Sequence, residues 1–276
     1  MTDAIRFDDQ VVVVTGAGRG LGAAYARLIA NRGGTVVVHD AGVAPDGSGF
    51  DPAVAEAVMA EITAAGGRAA ACHENLEAPG AGRRVIEFAL DRFGRIDSVV
   101  HNAGLVVFAS LEETDDALWK RMLAINVDAG FDLARAAMPH MRRQAYGRIV
   151  LTTSGRAMRP EDCVPGLVAY STAKMAQVGL MVGLAAEAGD ADIRINAISP
   201  VAATRVLRRH APDIVPELVA PGVALLASKA CAMSGVVLSA AGGRFSLARW
   251  TDGPELDLGR GVTPEDVASG WHRLLG

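Results

Sequence analysis

A chain of 276 residues, half of them apolar and 21 % charged, is long for an average domain yet within the range of one α/β domain with a large core. Its formal net charge of −4 supplies no global basic field and predicts no nucleic-acid partner. Cys72, Cys163 and Cys231 are scattered and odd in number, which excludes a disulfide framework and any metal spacing, and the six histidines do not cluster.

Residues 1–9 carry acids and do not read as a signal peptide, and no apolar run reaches spanning length, so the expected setting is cytoplasmic, without a membrane partner. Val11–Thr15 predicts a buried strand. It runs straight into Thr15-Gly16-Ala17-Gly18-Arg19-Gly20-Leu21-Gly22, and a helix over 21–32 follows. Glycines permit a tight turn and let backbone approach a pyrophosphate, while the helix N-terminus adds N–H donors and partial positive charge. Gly16, Gly18, Arg19, Gly20 and Leu21 are the expected cofactor contacts of this turn.

Thr35–His39 predicts a second strand, ending at Asp40. A carboxylate about twenty residues past such a turn accepts hydrogen bonds from ribose hydroxyls and repels a 2′-phosphate. No Arg or Lys follows Asp40 directly, so the expected cofactor is NAD rather than NADP. The alternative is an Asp that only caps a turn. After a polar loop over 41–49 come a helix over 51–65, a strand over 68–73, a helix over 80–93 and a strand over 96–101. The small residues of Asn102-Ala103-Gly104 would let the chain pass close to a bound cofactor.

A long helical region over 115–144 is expected to break or bend near Pro139. A strand over 147–153 precedes a helix over 168–188 that carries Tyr170 and Lys174. Residues four apart share a helix face, and an ammonium beside a phenol favours the phenolate and lowers its pKa. A phenol so tuned can exchange a proton with an alcohol, though the same spacing also occurs on plain surface helices. A strand over 193–198, a shorter helical region over 212–228 and a strand over 236–239 follow. Arg205, Arg208, Arg209 and His210 form one basic cluster, either a solvated helix end or a contact for a phosphate-bearing substrate. Residues 240–276 read as an extension with a loop containing Trp250, then a helix with Thr263 as N-cap and Pro264 in its first turn. This alternation predicts one α/β domain over 1–276, a doubly wound, Rossmann-type parallel sheet of seven strands flanked by helices.

Taken in order, Thr15-Gly16-x-x-x-Gly20-x-Gly22, Asn102-Ala103-Gly104, Asn126, Ser154 and Tyr170-x-x-x-Lys174 resemble the short-chain dehydrogenase/reductase family along nearly the whole chain. The resemblance implies an NAD-dependent enzyme that moves a hydride between a small-molecule alcohol or ketone and nicotinamide C4. Tyr170 would be the general acid/base, Lys174 would lower its pKa and hold the nicotinamide ribose, and Ser154 would hydrogen-bond the substrate oxygen, with Thr152 and Thr153 as substitutes. Asn126 would bend its helix and support a proton-relaying water. Asn75 and Leu76 would meet the adenine, and Pro200, Val201 and Thr204 the carboxamide end. A homodimer or homotetramer would form through the helices over 115–144 and 168–188.

A closer resemblance, to the 3-hydroxyacyl-CoA dehydrogenase region of peroxisomal multifunctional enzyme type 2, rests on several ordered pieces. These are Arg6-Phe7-Asp8, the loop over 41–49, Gly147-Arg148-Ile149-Val150, Val219-Ala220-Pro221, Gly242-Gly243, Arg249-Trp250 and Thr263-Pro264-Glu265. It implies a 3-hydroxyacyl-CoA substrate, with a steroid or terpenoid alcohol as the second choice. A non-catalytic NAD-binding regulator is the alternative of another class. Two departures stand out. Ser154 and Tyr170 are 16 residues apart (170 − 154), more than the family's usual separation, so the loop over 156–164 is expected to border the substrate, and Val201 follows Pro200 where the family has glycine.

Overall fold

A computed structural model describes residues 4–44, 47–203 and 212–274. Thr204 and the cluster of Arg205, Arg208, Arg209 and His210 lie outside the described residues. The elements are β1 (Val11–Thr15), α1 (Gly20–Asn31), β2 (Thr35–His39), α2 (Ala53–Ala64), β3 (Arg68–Cys72), α3 (Ala81–Phe93), β4 (Ser98–His101), α4 (Asp116–Leu123), a π-helical turn (Ala124–Asp128), α5 (Ala129–Gln144), β5 (Gly147–Thr152), α6 (Gly155–Met158), α7 (Val168–Ala188), β6 (Ile193–Val201), α8 (Ala220–Leu226), β7 (Val237–Ala241), β8 (Arg244–Ala248) and α9 (Pro264–Gly270).

The strands form one sheet in the order β3-β2-β1-β4-β5-β6-β7-β8. β1 to β7 are parallel, and β8 pairs antiparallel with β7. The seven expected parallel strands are therefore present, and an eighth, from the extension, closes one edge. Strand order reverses between β1 and β4, and such a reversal opens a crevice at the carboxyl ends of the strands.

The valine run of β1 explains its place in the centre. Val11 and Val13 pack into one apolar cluster with α3, α5 and α7 residues such as Val85, Leu133 and Met181. Val12 and Val14 pack into a second cluster, with Tyr25, Ile29 and Val223 of α1 and α8. A strand covered on both faces reads as continuously apolar rather than alternating. Each buried valine contributes about 1.5–3 kcal/mol.

The helix over 115–144 is not interrupted at Pro139, which lies inside continuous α5. The interruption falls at the π-helical turn, where the Asn126 amide donates to the Met122 carbonyl at 3.0 Å. The expected helical region over 212–228 is two 3-10 turns, Pro212–Ile214 and Pro216–Leu218, before α8. Proline supplies no N–H for an α-helical bond, which favours such short turns. At the other end, Thr263 caps α9 as expected, accepting from the Asp266 amide, and the Asp266 side chain bonds back to Thr263.

Candidate active site

One cavity of about 600 Å³ opens at the carboxyl ends of β1, β2, β4, β5 and β6. Gly16, Arg19, Gly20 and Leu21 line one end of it, and Ser154, Tyr170 and Lys174 line the other. Asp40, Asn75, Leu76, Asn102, Ala103, Gly104, Pro200 and Val201 complete the expected set.

The glycine turn is built for close approach. Gly16 has φ of +64° and Gly20 of +52°, a region L side chains rarely enter. A Cβ on Gly22 would strike the Gly16 carbonyl oxygen. Thr15 fixes the floor: its Oγ1 accepts from the amides of Asn102 at 3.1 Å and Ala103 at 3.0 Å, and meets His101 Nδ1 at 3.1 Å. With two amides donating to it, the Thr15 hydroxyl gives its own proton to the imidazole. The Asn102 side chain donates in turn to the carbonyls of Thr15 and Gly16.

Asp40 is buried, and its two oxygens accept from the amides of Gly18 at 3.0 Å and Gly42 at 2.8 Å. Each oxygen keeps a further lone pair for a ligand. Gly18 does not line the cavity; a Cβ there would lie 2.9 Å from Asp40 Oδ2, so the residue makes room for the carboxylate. Asn75 uses its Oδ1 to accept the Glu77 amide at 3.0 Å.

At the other end, Ser154 caps α6, its Oγ accepting from the Arg156 amide at 3.3 Å, and it lines the cavity beside Tyr170. Lys174 is buried, donates to the Thr152 carbonyl at 3.0 Å, and lies 5.9 Å from the Tyr170 ring centre. Thr152 and Thr153 are buried, and their hydroxyls donate to the carbonyls of His101 and Lys174, so Ser154 is the hydroxyl left for a ligand. Asn126 Oδ1 is buried without a partner among the described residues.

The electrostatics differ from the sequence expectation. Burial pushes the Tyr170 phenol up, partly offset by the Ser154 hydroxyl and the positive charge of Arg156. Lys174 does not depress it in the protein alone, because burial pushes the amine itself down to about 7. A desolvated ammonium loses its charge before it can tune a neighbour.

The loop over 156–164, expected to border the substrate, sends Arg156, Arg159 and Asp162 to the cavity lining, whereas Phe108 was missed. The long Ser154–Tyr170 separation was the available signal for the two arginines. It is filled by α6 and a 3-10 turn, Pro160–Asp162. Phe108 sits in an irregular loop with no motif to mark it.

A dinucleotide cradle that shares a cavity with a hydroxyl, a phenol and an amine defines a dinucleotide-dependent oxidoreductase. The family described as short chain dehydrogenase matches residues 10–212. The chain belongs to the short-chain dehydrogenase/reductase family, whose members use a nicotinamide cofactor, and the donor set above fits one.

The chain is 37 % identical over 271 residues to a short-chain type dehydrogenase/reductase of Mycobacterium tuberculosis, covering 96 % of this chain and 94 % of the relative. It is 36 % identical to the peroxisomal multifunctional enzyme type 2 of Mus musculus, covering 99 % of this chain but 38 % of that enzyme's length. Among solved structures, a short chain dehydrogenase from Mycobacterium avium superposes with a TM-score of 0.85 at 34 % identity, covering 98 % of this chain and 95 % of the other. A metagenomic short-chain oxidoreductase in complex with NADP gives a TM-score of 0.68 at 32 % identity, covering 80 % of this chain and 91 % of the other.

Proposed function

We propose that the protein oxidises a secondary alcohol, or reduces the matching ketone, by hydride exchange with NAD(H). The observation that carries this reading is the convergence of Ser154, Tyr170 and Lys174 on the cavity whose far end is the glycine turn. The bound nicotinamide supplies the hydride acceptor or donor. Ser154 orients the substrate oxygen. Tyr170 takes the hydroxyl proton as the carbon loses its hydride, and returns it in the reverse direction. Lys174, pushed to about 7, can carry that proton onward near neutral pH, and the unpartnered Oδ1 of Asn126 offers an acceptor for a relaying water.

Asp40 supports NAD over NADP, because its buried carboxylate would face a 2′-phosphate. Likeness over 99 % of this chain to a multifunctional enzyme supports a substrate built on a 3-hydroxyacyl skeleton. Exposed Phe131, Met175 and Val182 on α5 and α7 support pairing of those helices in a homodimer or homotetramer. Pairing of β8 with β7 supports residues 1–276 as one domain. Three unpaired cysteines suit the reducing cytoplasm.

Replacing Tyr170 with Phe tests the mechanism. Turnover followed by nicotinamide absorbance should fall by roughly three orders of magnitude while NAD affinity is retained. Turnover equal to that of the parent protein would reject the mechanism.

A further inference from the structure

We propose that Arg156 is a specificity residue that binds an anionic group, a carboxylate, carried on the substrate a few bonds from the reacting carbinol carbon. This rests on the oxidoreductase reading above.

The charges of the cavity single this residue out. Among its lining acids, Glu74 is paired with Arg84 at 2.7 Å and Glu77 with Arg121 at 2.9 Å. Asp162 is paired with Arg159 at 2.5 Å, and Asp40 is held by two backbone amides. Three lining cations remain. Lys174 serves the phenol, and Arg19 sits at the glycine turn, donating to the Val43 carbonyl at 3.4 Å. Arg156 has no ion-pair partner among the described residues and lines the catalytic end with Ser154 and Tyr170.

Its backbone is fixed from both sides. The Arg156 amide donates to Ser154 Oγ at 3.3 Å, and its carbonyl accepts from Ser171 Oγ at 3.3 Å. The guanidinium carbon lies 5.8 Å from the centre of the exposed Phe108 ring, a cation–π contact that orients the fork. Its charge already reaches the Tyr170 phenol, as the downward pull on that group records. A planar fork with five donors and no acceptor among the described residues matches a carboxylate in two-bonded geometry. The segment that carries it is the one that lengthens the Ser154–Tyr170 interval, so the cation belongs to this chain's own substrate preference.

The experiment compares 3-hydroxyhexanoate, its methyl ester and its CoA thioester, which share a carbinol and differ in charge beside it. We expect kcat/KM for the free acid to exceed that for the ester at least tenfold. Arg156→Gln should lower the acid's value at least tenfold more than the ester's, mostly through KM, and Arg156→Lys should recover part of it. A variant that slows acid and ester alike, with a displaced pH profile, would overturn the proposal in favour of action through Tyr170. Preference for ester or thioester, indifferent to Arg156→Gln, would overturn it and leave the oxidoreductase reading standing. Absence of turnover with all three and with every neutral secondary alcohol tested would remove both.

Discussion

Gly104 faces Asn126 so closely that a Cβ on it would lie 2.5 Å from Asn126 Oδ1 and 3.1 Å from Lys174 Nζ. The glycine is needed for space, since its φ is not in the left-handed region. Both neighbours are buried and have little room to retreat. Gly104→Ala should cost about 1–3 kcal/mol of stability by overpacking. It should also cut turnover by about 100-fold by displacing the amine. Thermal melts and steady-state kinetics on one preparation check both; a variant with full activity would show that Lys174 and Asn126 tolerate the shift.

Asp40 joins the glycine turn to the cavity, where the proposed function has it face the adenosine ribose. Asp40→Ala removes the proposed ribose acceptor and leaves the Gly18 and Gly42 amides without the carboxylate they donate to. NAD affinity should fall by about 10–100-fold, as loss of a charged hydrogen-bond partner costs about 1.5–3 kcal/mol. NADP affinity should fall less or rise, because the repelling charge is gone. Titration of both nucleotides by tryptophan fluorescence measures the ratio, and an unchanged ratio would refute NAD selection by Asp40.

Two buried bases make the protein sensitive to acid. His101 is pushed down to about 3 by burial and then by Lys174, while the unfolded imidazole titrates near 6.5. Between those values the unfolded chain binds a proton that the native state refuses, so stability falls as pH falls from about 6.5 to about 3. Lys174, at about 7 when folded and near 10.4 when unfolded, acts with the same sign: stability rises with pH between those two values. Urea midpoints across a pH series should show a flatter acid limb for His101→Gln and a flatter alkaline limb for Lys174→Met than for the parent.

Arg148 on β5 is a structural cation. It is almost fully buried and donates to the carbonyls of Ser228, Gly147 and Asp192. It also pairs with the Asp192 carboxylate at 3.0 Å and packs over the Tyr146 ring at 4.4 Å. Arg148→Ala leaves a cavity and unpaired buried carbonyls, at a cost of about 3 kcal/mol. Tm should drop by roughly 6–12 °C. A drop under two degrees would mean that water replaces the guanidinium.

The strands and the glycine turn were legible because each rests on a local signal. Val11–Thr15 is apolar throughout because both faces are covered, and Asp40 ends its strand where a carboxylate can meet two amides. Read from the residues alone, the α4–α5 interruption was misplaced, because Pro139 is the louder breaker, whereas the family resemblance put a bend at Asn126. The Asn126 turn is instead stabilised by a side-chain bond to Met122 that no spacing rule reveals. The relation of Tyr170 to Lys174 was legible as geometry but not as electrostatics. Spacing sets proximity, whereas burial, which depends on the whole fold, decides which group keeps its charge. Phe108 reaches Arg156 across distant segments, and no local pattern encodes that contact.

The Thr15 hydroxyl and the Asn102 carboxamide stitch the ends of β1 and β4 together at the point where the sheet divides. Four hydrogen bonds cross a gap that strand pairing alone would leave loose. The floor of the crevice is thus rigid before any ligand arrives, and little ordering entropy is lost when one docks. Its Asn102 and Ala103 amides should exchange with solvent only when the central sheet itself opens.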